Sequence, residues 1–241
     1  MILIFTPHVD VPTTISFDAA SRLAEVCERG GVPFRLVYGL RVSGVAFRWK
    51  VYWYDPPLIV YFGHGREDRL LGSYGGMVTV RDVELLRGRV TYTMACKSGR
   101  VLGRKVAEEG GVYFGSEDNM FAGFPEVDHD YMGDFIDTWL VIPISLISGL
   151  RTGEAYRRYI ERCTYYVRLY ERMIGEWDNA DWYAEAMERN RDGYRLYGSG
   201  DVRVRVESRG LESVIGLFEL WKFLRKAGSM FNVWFRWWVE R

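Results

Sequence analysis

Leu58-Ile59-Val60-Tyr61-Phe62-Gly63-His64-Gly65-Arg66-Glu67-Asp68 and Val90-Thr91-Tyr92-Thr93-Met94-Ala95-Cys96-Lys97-Ser98-Gly99 are the two stretches whose reading decides the fold. Each is an apolar run of strand length that passes directly into a reactive side chain set among small residues. His64 lies between Gly63 and Gly65, and Cys96 follows Ala95. If the two strands are parallel neighbours, imidazole and thiol leave the sheet at the same edge. The chain between them is long enough for a crossover connection.

Working outward, similar apolar runs occur at Ile2 to Phe5, Phe34 to Tyr38 and Val112 to Gly115. Helical spacing appears between them, over Thr13 to Arg29, closed by Gly30-Gly31, and over Gly99 to Glu109. Leu40 to Trp53 has no decisive period. Val78 to Val80 reads as a short surface strand and Arg81 to Leu86 as a helical turn. Strands alternating with helices predict an α/β protein with a mostly parallel sheet, in which ligands bind beyond the carboxyl ends of the strands. His64 and Cys96 both sit there.

The second half reads as largely helical: a helix or helix pair over Asp130 to Ser148 with a kink at Pro143, then Thr152 to about Ile174, and Asp181 to Arg189. Val202 to Val206 reads as a last strand. Leu211 to Arg225 reads as an amphipathic helix, and the tail carries Phe231, Trp234, Phe235, Trp237 and Trp238. With no repeat and no low-complexity linker, residues 1–241 are expected to form one domain.

Composition narrows the function classes. The chain has 241 residues, 48% hydrophobic, with 32 basic and 32 acidic side chains, so nothing draws it as a whole to nucleic acid or an anionic membrane. Cys27, Cys96 and Cys163 are far apart with no CxxC pair, which argues against a disulfide framework or zinc site. The amino terminus lacks a basic, then long apolar leader, and Trp139 to Ile147 is too short to span a bilayer. A cytoplasmic protein is the expectation. The Arg-rich, glutamine-free composition is compatible with a thermophile.

A thiol attacks a carbonyl only as thiolate, and an imidazole nearby takes its proton and later protonates the leaving amine. Gly65 lets the main chain approach a substrate closely, so its N–H and that of Cys96 are candidates for an oxyanion hole. The helix beginning near Gly99 adds a positive terminus close to the sulfur. The bland readings are a small buried cysteine and a turn histidine.

At these residues the sequence resembles the caspase–hemoglobinase group of cysteine peptidases, clan CD, which includes caspases, legumain, gingipains and CHAT domains. Tyr61-Phe62-Gly63-His64-Gly65 matches its strand ending in His-Gly, and Thr93-Met94-Ala95-Cys96-Lys97-Ser98-Gly99 its strand ending in Ala-Cys-x-Ser-Gly. Asn190-Arg191-Asp192-Gly193 and Leu196-Tyr197-Gly198-Ser199-Gly200-Asp201-Val202-Arg203-Val204 look like a later shared segment. The resemblance implies a three-layer α/β/α sandwich, a His64/Cys96 dyad, endopeptidase action on protein or peptide substrates, and no cofactor. Met94 stands where many members carry an acid or amide that helps bind the residue before the cut, so no preference carries over. Asp10 stands where members often place a pocket residue, which would favour Arg or Lys, and reads equally as a cap. Glu117, after the fifth strand, reads as cleft lining or as a turn. His8 and His129 lack metal-ligand spacing. The rival readings are a catalytically silent relative that binds or signals, and an unrelated α/β hydrolase or nucleotide-binding domain, for which neither a G-x-S-x-G elbow nor a P-loop is present. Substrate and oligomeric state are not legible.

Overall fold

The computed structural model describes residues 1–122 and 129–206. In chain order the elements are β1 (Ile2–Thr6), α1 (Val11–Arg29), β2 (Phe34–Tyr38), α2 (Gly44–Tyr54), β3 (Leu58–Phe62), β4 (Gly65–Arg66), β5 (Arg69–Gly72), β6 (Gly75–Thr79), β7 (Val90–Met94), α3 (Arg104–Glu108), β8 (Val112–Ser116), α4 (His129–Ile147), α5 (Thr152–Met173), α6 (Ala180–Gly193) and β9 (Tyr194–Tyr197). The main sheet runs β2-β1-β3-β7-β8-β9, parallel throughout except for β9, and β4-β5-β6 form a separate antiparallel sheet.

Every residue of β1, β3, β7 and β8 is buried, which explains their continuous apolar character: layers cover both faces. Alternate residues feed two cores. Ile2, Ile4, Leu58, Val60, Phe62 and Met94 pack with α1, α4, α5 and α6. Leu3, Phe5, Ile59, Tyr61 and Tyr113 pack with α2, α3 and the small sheet. The result is the mostly parallel α/β sheet that the strand and helix pattern predicted, in the α/β/α sandwich that the resemblance implied. Burying a Leu, Ile or Phe contributes roughly 1.5–3 kcal/mol, against roughly 0–1 for an exposed ion pair such as Arg29–Glu25. The two cores therefore dominate the stability.

Two expectations are corrected and one open alternative is decided. Val202 to Val206 is not a strand; only Arg203 bridges, to Arg151. The last strand is β9, whose Tyr194 is fully buried and donates its hydroxyl to the Thr93 carbonyl at 2.7 Å, locking β9 to the sheet. The segment from Gly99 to Gly103 is a π-helical turn, and the α-helix starts only at Arg104. Two helices at Asp130 to Ser148 are not required, since α4 runs through Pro143. Proline has no N–H for the Trp139 carbonyl, and the Tyr92 hydroxyl donates to that carbonyl instead, at 2.5 Å. Tyr92→Phe is accordingly expected to cost about 1–3 kcal/mol by leaving this buried carbonyl unpaired, read as a lower urea midpoint with unchanged m-value. Leu211 to Arg225 and the aromatic tail lie outside the described residues.

Candidate active site

Three strand ends meet at one sheet edge. β3 lies between β1 and β7, where the strand order reverses direction, the place at which α/β sheets open a crevice. Phe62 is in register with Met94, so the residues that follow each strand emerge side by side.

The His64 loop is pinned from several sides. Gly63 has φ +156°, and its N–H donates to the Met94 carbonyl at 3.1 Å. The Tyr61 hydroxyl donates to the carbonyls of His64 (2.8 Å) and Leu71 (2.5 Å). A Cβ on Gly65 would stand 2.7 Å from the Cys96 carbonyl and 2.9 Å from the Ala95 Cβ. The backbone after His64 thus lies directly on the backbone around Cys96, and only glycine fits. Gly65→Ala is expected to destabilise by about 1–3 kcal/mol and to push the two loops apart, measurable as a lower Tm and slower Cys96 alkylation.

His64 Nε2 lies 2.8 Å from Asp10 Oδ2. Asp10 is also the N-cap of α1, where its Oδ1 accepts from Thr13 N–H (3.0 Å) and from Thr13 Oγ1 (2.7 Å). Partial burial pushes the Asp10 carboxyl upward. The hydrogen bonds from Thr13 and His64, with the charge of His64, outweigh it and hold the group below its ordinary 3.8. An ionised carboxylate only accepts, so Nε2 carries the proton toward Asp10 and Nδ1 is left to face other chemistry. Asp10 was read as a pocket residue or a cap; it caps α1 and also holds His64. Nothing in local sequence signals that second contact, because the partners are 54 residues apart.

Cys96 is half-buried, whereas Cys27 and Cys163 are fully buried, and burial pushes each of those thiols up to about 12. Iodoacetamide at neutral pH is therefore expected to add one label to the native protein, on Cys96, and three after denaturation, counted by intact mass. Cys96 Sγ accepts the Met120 N–H at 3.3 Å. No hydrogen bond joins His64 to Cys96 among the described residues, nor does any described acceptor take the Cys96 N–H. Lys97 sits in the left-handed region (φ +58°) and donates its N–H to the Asp118 carbonyl at 2.9 Å, which turns the chain sharply after the thiol.

The loop carrying Met120 has its own clamp, which the sequence reading missed. Asn190 is 1% exposed, and its amide pairs with the Phe121 backbone both ways: Phe121 N–H to Oδ1 and Nδ2 to the Phe121 carbonyl, each 2.8 Å. Met94 is 3% exposed inside the apolar core, and Glu117 faces Arg104 (3.1 Å), Arg195 (3.5 Å) and the Tyr197 hydroxyl (3.0 Å). Those two side chains are thus engaged by the core and by a cationic cluster. His8 stacks on Phe17 and contacts Thr14 Oγ1 at 3.2 Å. Among the described residues, no three His, Cys, Asp or Glu side chains gather as a metal site, and no helix is long and apolar enough to cross a membrane.

A mostly parallel six-stranded sheet between two helical layers is a caspase-like fold. The chain is similar to the crystal structure of the Arg-specific cysteine proteinase gingipain R (RgpB), with a TM-score of 0.52, 14% identity, and 85% of this chain covering 47% of that one. It is also similar to the complex of Porphyromonas gingivalis RgpB pro- and mature domains, with a TM-score of 0.50, 13% identity, and 85% covering 48%. The chain spans about half the length of these neighbours, and at such identity the likeness is one of fold alone. No family model and no curated protein sequence matches it.

Proposed function

We propose that the protein is a cysteine endopeptidase with Cys96 as nucleophile, His64 as acid and base, and Asp10 as the group that orients His64. The observation that carries this reading is the register of β3 with β7, which brings the chain after Phe62 and after Met94 to one edge, with Asp10 on the imidazole.

In the mechanism, the Cys96 thiol passes its proton to His64 Nδ1, and the thiolate, stabilised by the Met120 N–H, adds to the scissile carbonyl. Its oxyanion is received by the N–H groups of Cys96 and Gly65. His64, now an imidazolium, gives that proton to the leaving amine as the C–N bond breaks and a thioester forms. It then takes a proton from the water that hydrolyses the thioester. Both oxygens of Asp10 are engaged by Thr13 and His64, so Asp10 is assigned to the imidazole rather than to a pocket for a basic residue.

The test is cleavage of a fluorogenic peptide library by the wild-type protein and by His64→Ala. Turnover by the first with a loss of about 10²-fold or more in the second supports the reading; no cleavage by either contradicts it. A second reading, a silent domain that binds peptides, draws on the missing His64–Cys96 contact and would show as peptide binding without turnover.

A further inference from the structure

β2 is an edge of the main sheet. Ile2 N–H donates to the Pro33 carbonyl at 2.9 Å, and Ile2 is in register with Phe34. In a parallel ladder this turns the amides of Arg35 and Val37 toward β1 and those of Phe34 and Leu36 outward. Among the described residues, no hydrogen bond takes the outward groups. Beside this edge lies a groove of about 580 Å³, lined on the far side by Arg41 and by Ala46 and Lys50 of α2.

Three cations line the groove: Arg35, Arg41 and Lys50. None has a carboxylate partner among the described residues, whereas Arg48, Arg87, Arg100 and Arg104 all do. Aromatic rings hold two of the three without neutralising them. Arg35 lies 4.7 Å over the Tyr54 ring and Lys50 lies 5.4 Å from that of Trp49.

We propose that this groove is an exosite that takes an acidic, extended peptide segment by adding it as a further strand to β2. The outward N–H and C=O groups of Phe34 and Leu36 supply main-chain hydrogen bonds, and the three cations select carboxylates. A second copy of the chain fits poorly, because β2 against β2 sets Arg35 and Arg41 near their own equivalents. The groove leads toward the candidate site. Tyr38 ends β2, its ring is 5.5 Å from that of Phe17, and Phe17 stacks on His8 at 4.8 Å, two residues before Asp10. A segment leaving the groove past Tyr38 reaches the crevice of Asp10 and His64. The substrate class is then a protein with an acidic stretch next to the cut; this last step rests on the peptidase reading, while binding to the groove does not.

The experiment is fluorescence anisotropy with a labelled peptide of alternating Glu and Val, titrated with the full chain carrying Cys96→Ala. Saturable binding is expected, weakened about tenfold or more by Arg41→Glu with Lys50→Glu at low salt, and weakened for the unaltered groove as salt rises. Leu36→Pro removes one outward amide at an edge position that tolerates proline, and about fivefold or greater weakening is expected with unchanged circular dichroism. Arg41→Gln, at an exposed position, serves if Leu36→Pro fails to fold. Full binding by the charge-reversed variant overturns the proposal. So does heparin displacing the peptide at equal charge concentration together with unaltered binding by Leu36→Pro, since the surface would then be a general polyanion patch. Peptide binding here, with no cleavage of the fluorogenic library by the wild type, sinks the peptidase reading and supports the groove as a binding site.

Discussion

Cys96→Ala is expected to lower kcat/KM for any cleaved peptide by about 10³-fold or more. Its fold should stay within about 1 kcal/mol of wild type, because Cys96 is half-buried and outside both buried clusters. The size of the loss follows from chemistry. Without the sulfur no thioester forms, and only the oxyanion donors and substrate positioning remain to assist water. Cys27→Ala and Cys163→Ala should behave in the opposite way. Both side chains are fully buried, so losing either thiol disturbs packing and lowers Tm with little effect on the rate constant of the folded fraction. Steady-state kinetics and thermal melts on the three variants separate a reacting sulfur from a packing one. Equal activity of Cys96→Ala and wild type would remove the sulfur from the chemistry.

The second large effect concerns Asp10, where two jobs can be pulled apart. Asparagine caps a helix about as well as aspartate, so Asp10→Asn should leave α1 and Tm nearly unchanged. It replaces the acceptor facing His64 Nε2 with an amide that can present N–H instead, so the imidazole loses its fixed tautomer. A fall in kcat of about 10²–10⁴ is expected, with KM little altered. Asp10→Ala should show the same kinetic loss together with about 1 kcal/mol of lost stability from the missing cap. The pH dependence follows from sign. The carboxyl is held below 3.8 in the fold, so its stabilising contacts are complete above that value and are lost as pH falls through the lowered one. Acid titration of wild type should show a loss of stability below about pH 4 that Asp10→Asn lacks. A variant as active as wild type would leave Asp10 as a cap only.

Much of the fold was legible because the central strands carry their context in their own residues. A strand buried on both faces has to be apolar throughout, as Ile2 to Phe5 and Leu58 to Phe62 are. α2 was not legible. Only Phe47 and Val51 are buried, while Val45, Trp49, Tyr52 and Trp53 are apolar yet exposed, so the helical period is hidden. Of the small sheet only the end of β6 was read, as Val78 to Val80; the rest escaped because β4 is two residues long and β6 opens on Gly75-Gly76, which carry no strand propensity. β9 was displaced to Val202 to Val206, whose alternation imitates a strand, while the real one is set by the burial of Tyr194 against Thr93.

For the site, the order of the His and Cys motifs and the parallel strands beneath them could be read directly. The contacts around them could not. Asp10 reaches His64, and Asn190 reaches Phe121 across 69 residues, through tertiary packing that no local pattern encodes. Met120 acts through its backbone N–H, to which the identity of its side chain gives no clue. Met94 and Glu117 were named from their places at strand ends, but the direction of each side chain decides what it meets: apolar core for one, Arg104 and Arg195 for the other.

The most direct test of whether the groups at this sheet edge act together is covalent trapping with a peptidyl acyloxymethyl ketone, followed by peptide mapping and rate measurement. One adduct per chain on Cys96, formed at least about tenfold more slowly in His64→Ala and in Asp10→Asn, is the expected result. An adduct on another residue, or trapping of Cys96 at the same rate in all three proteins, would contradict it.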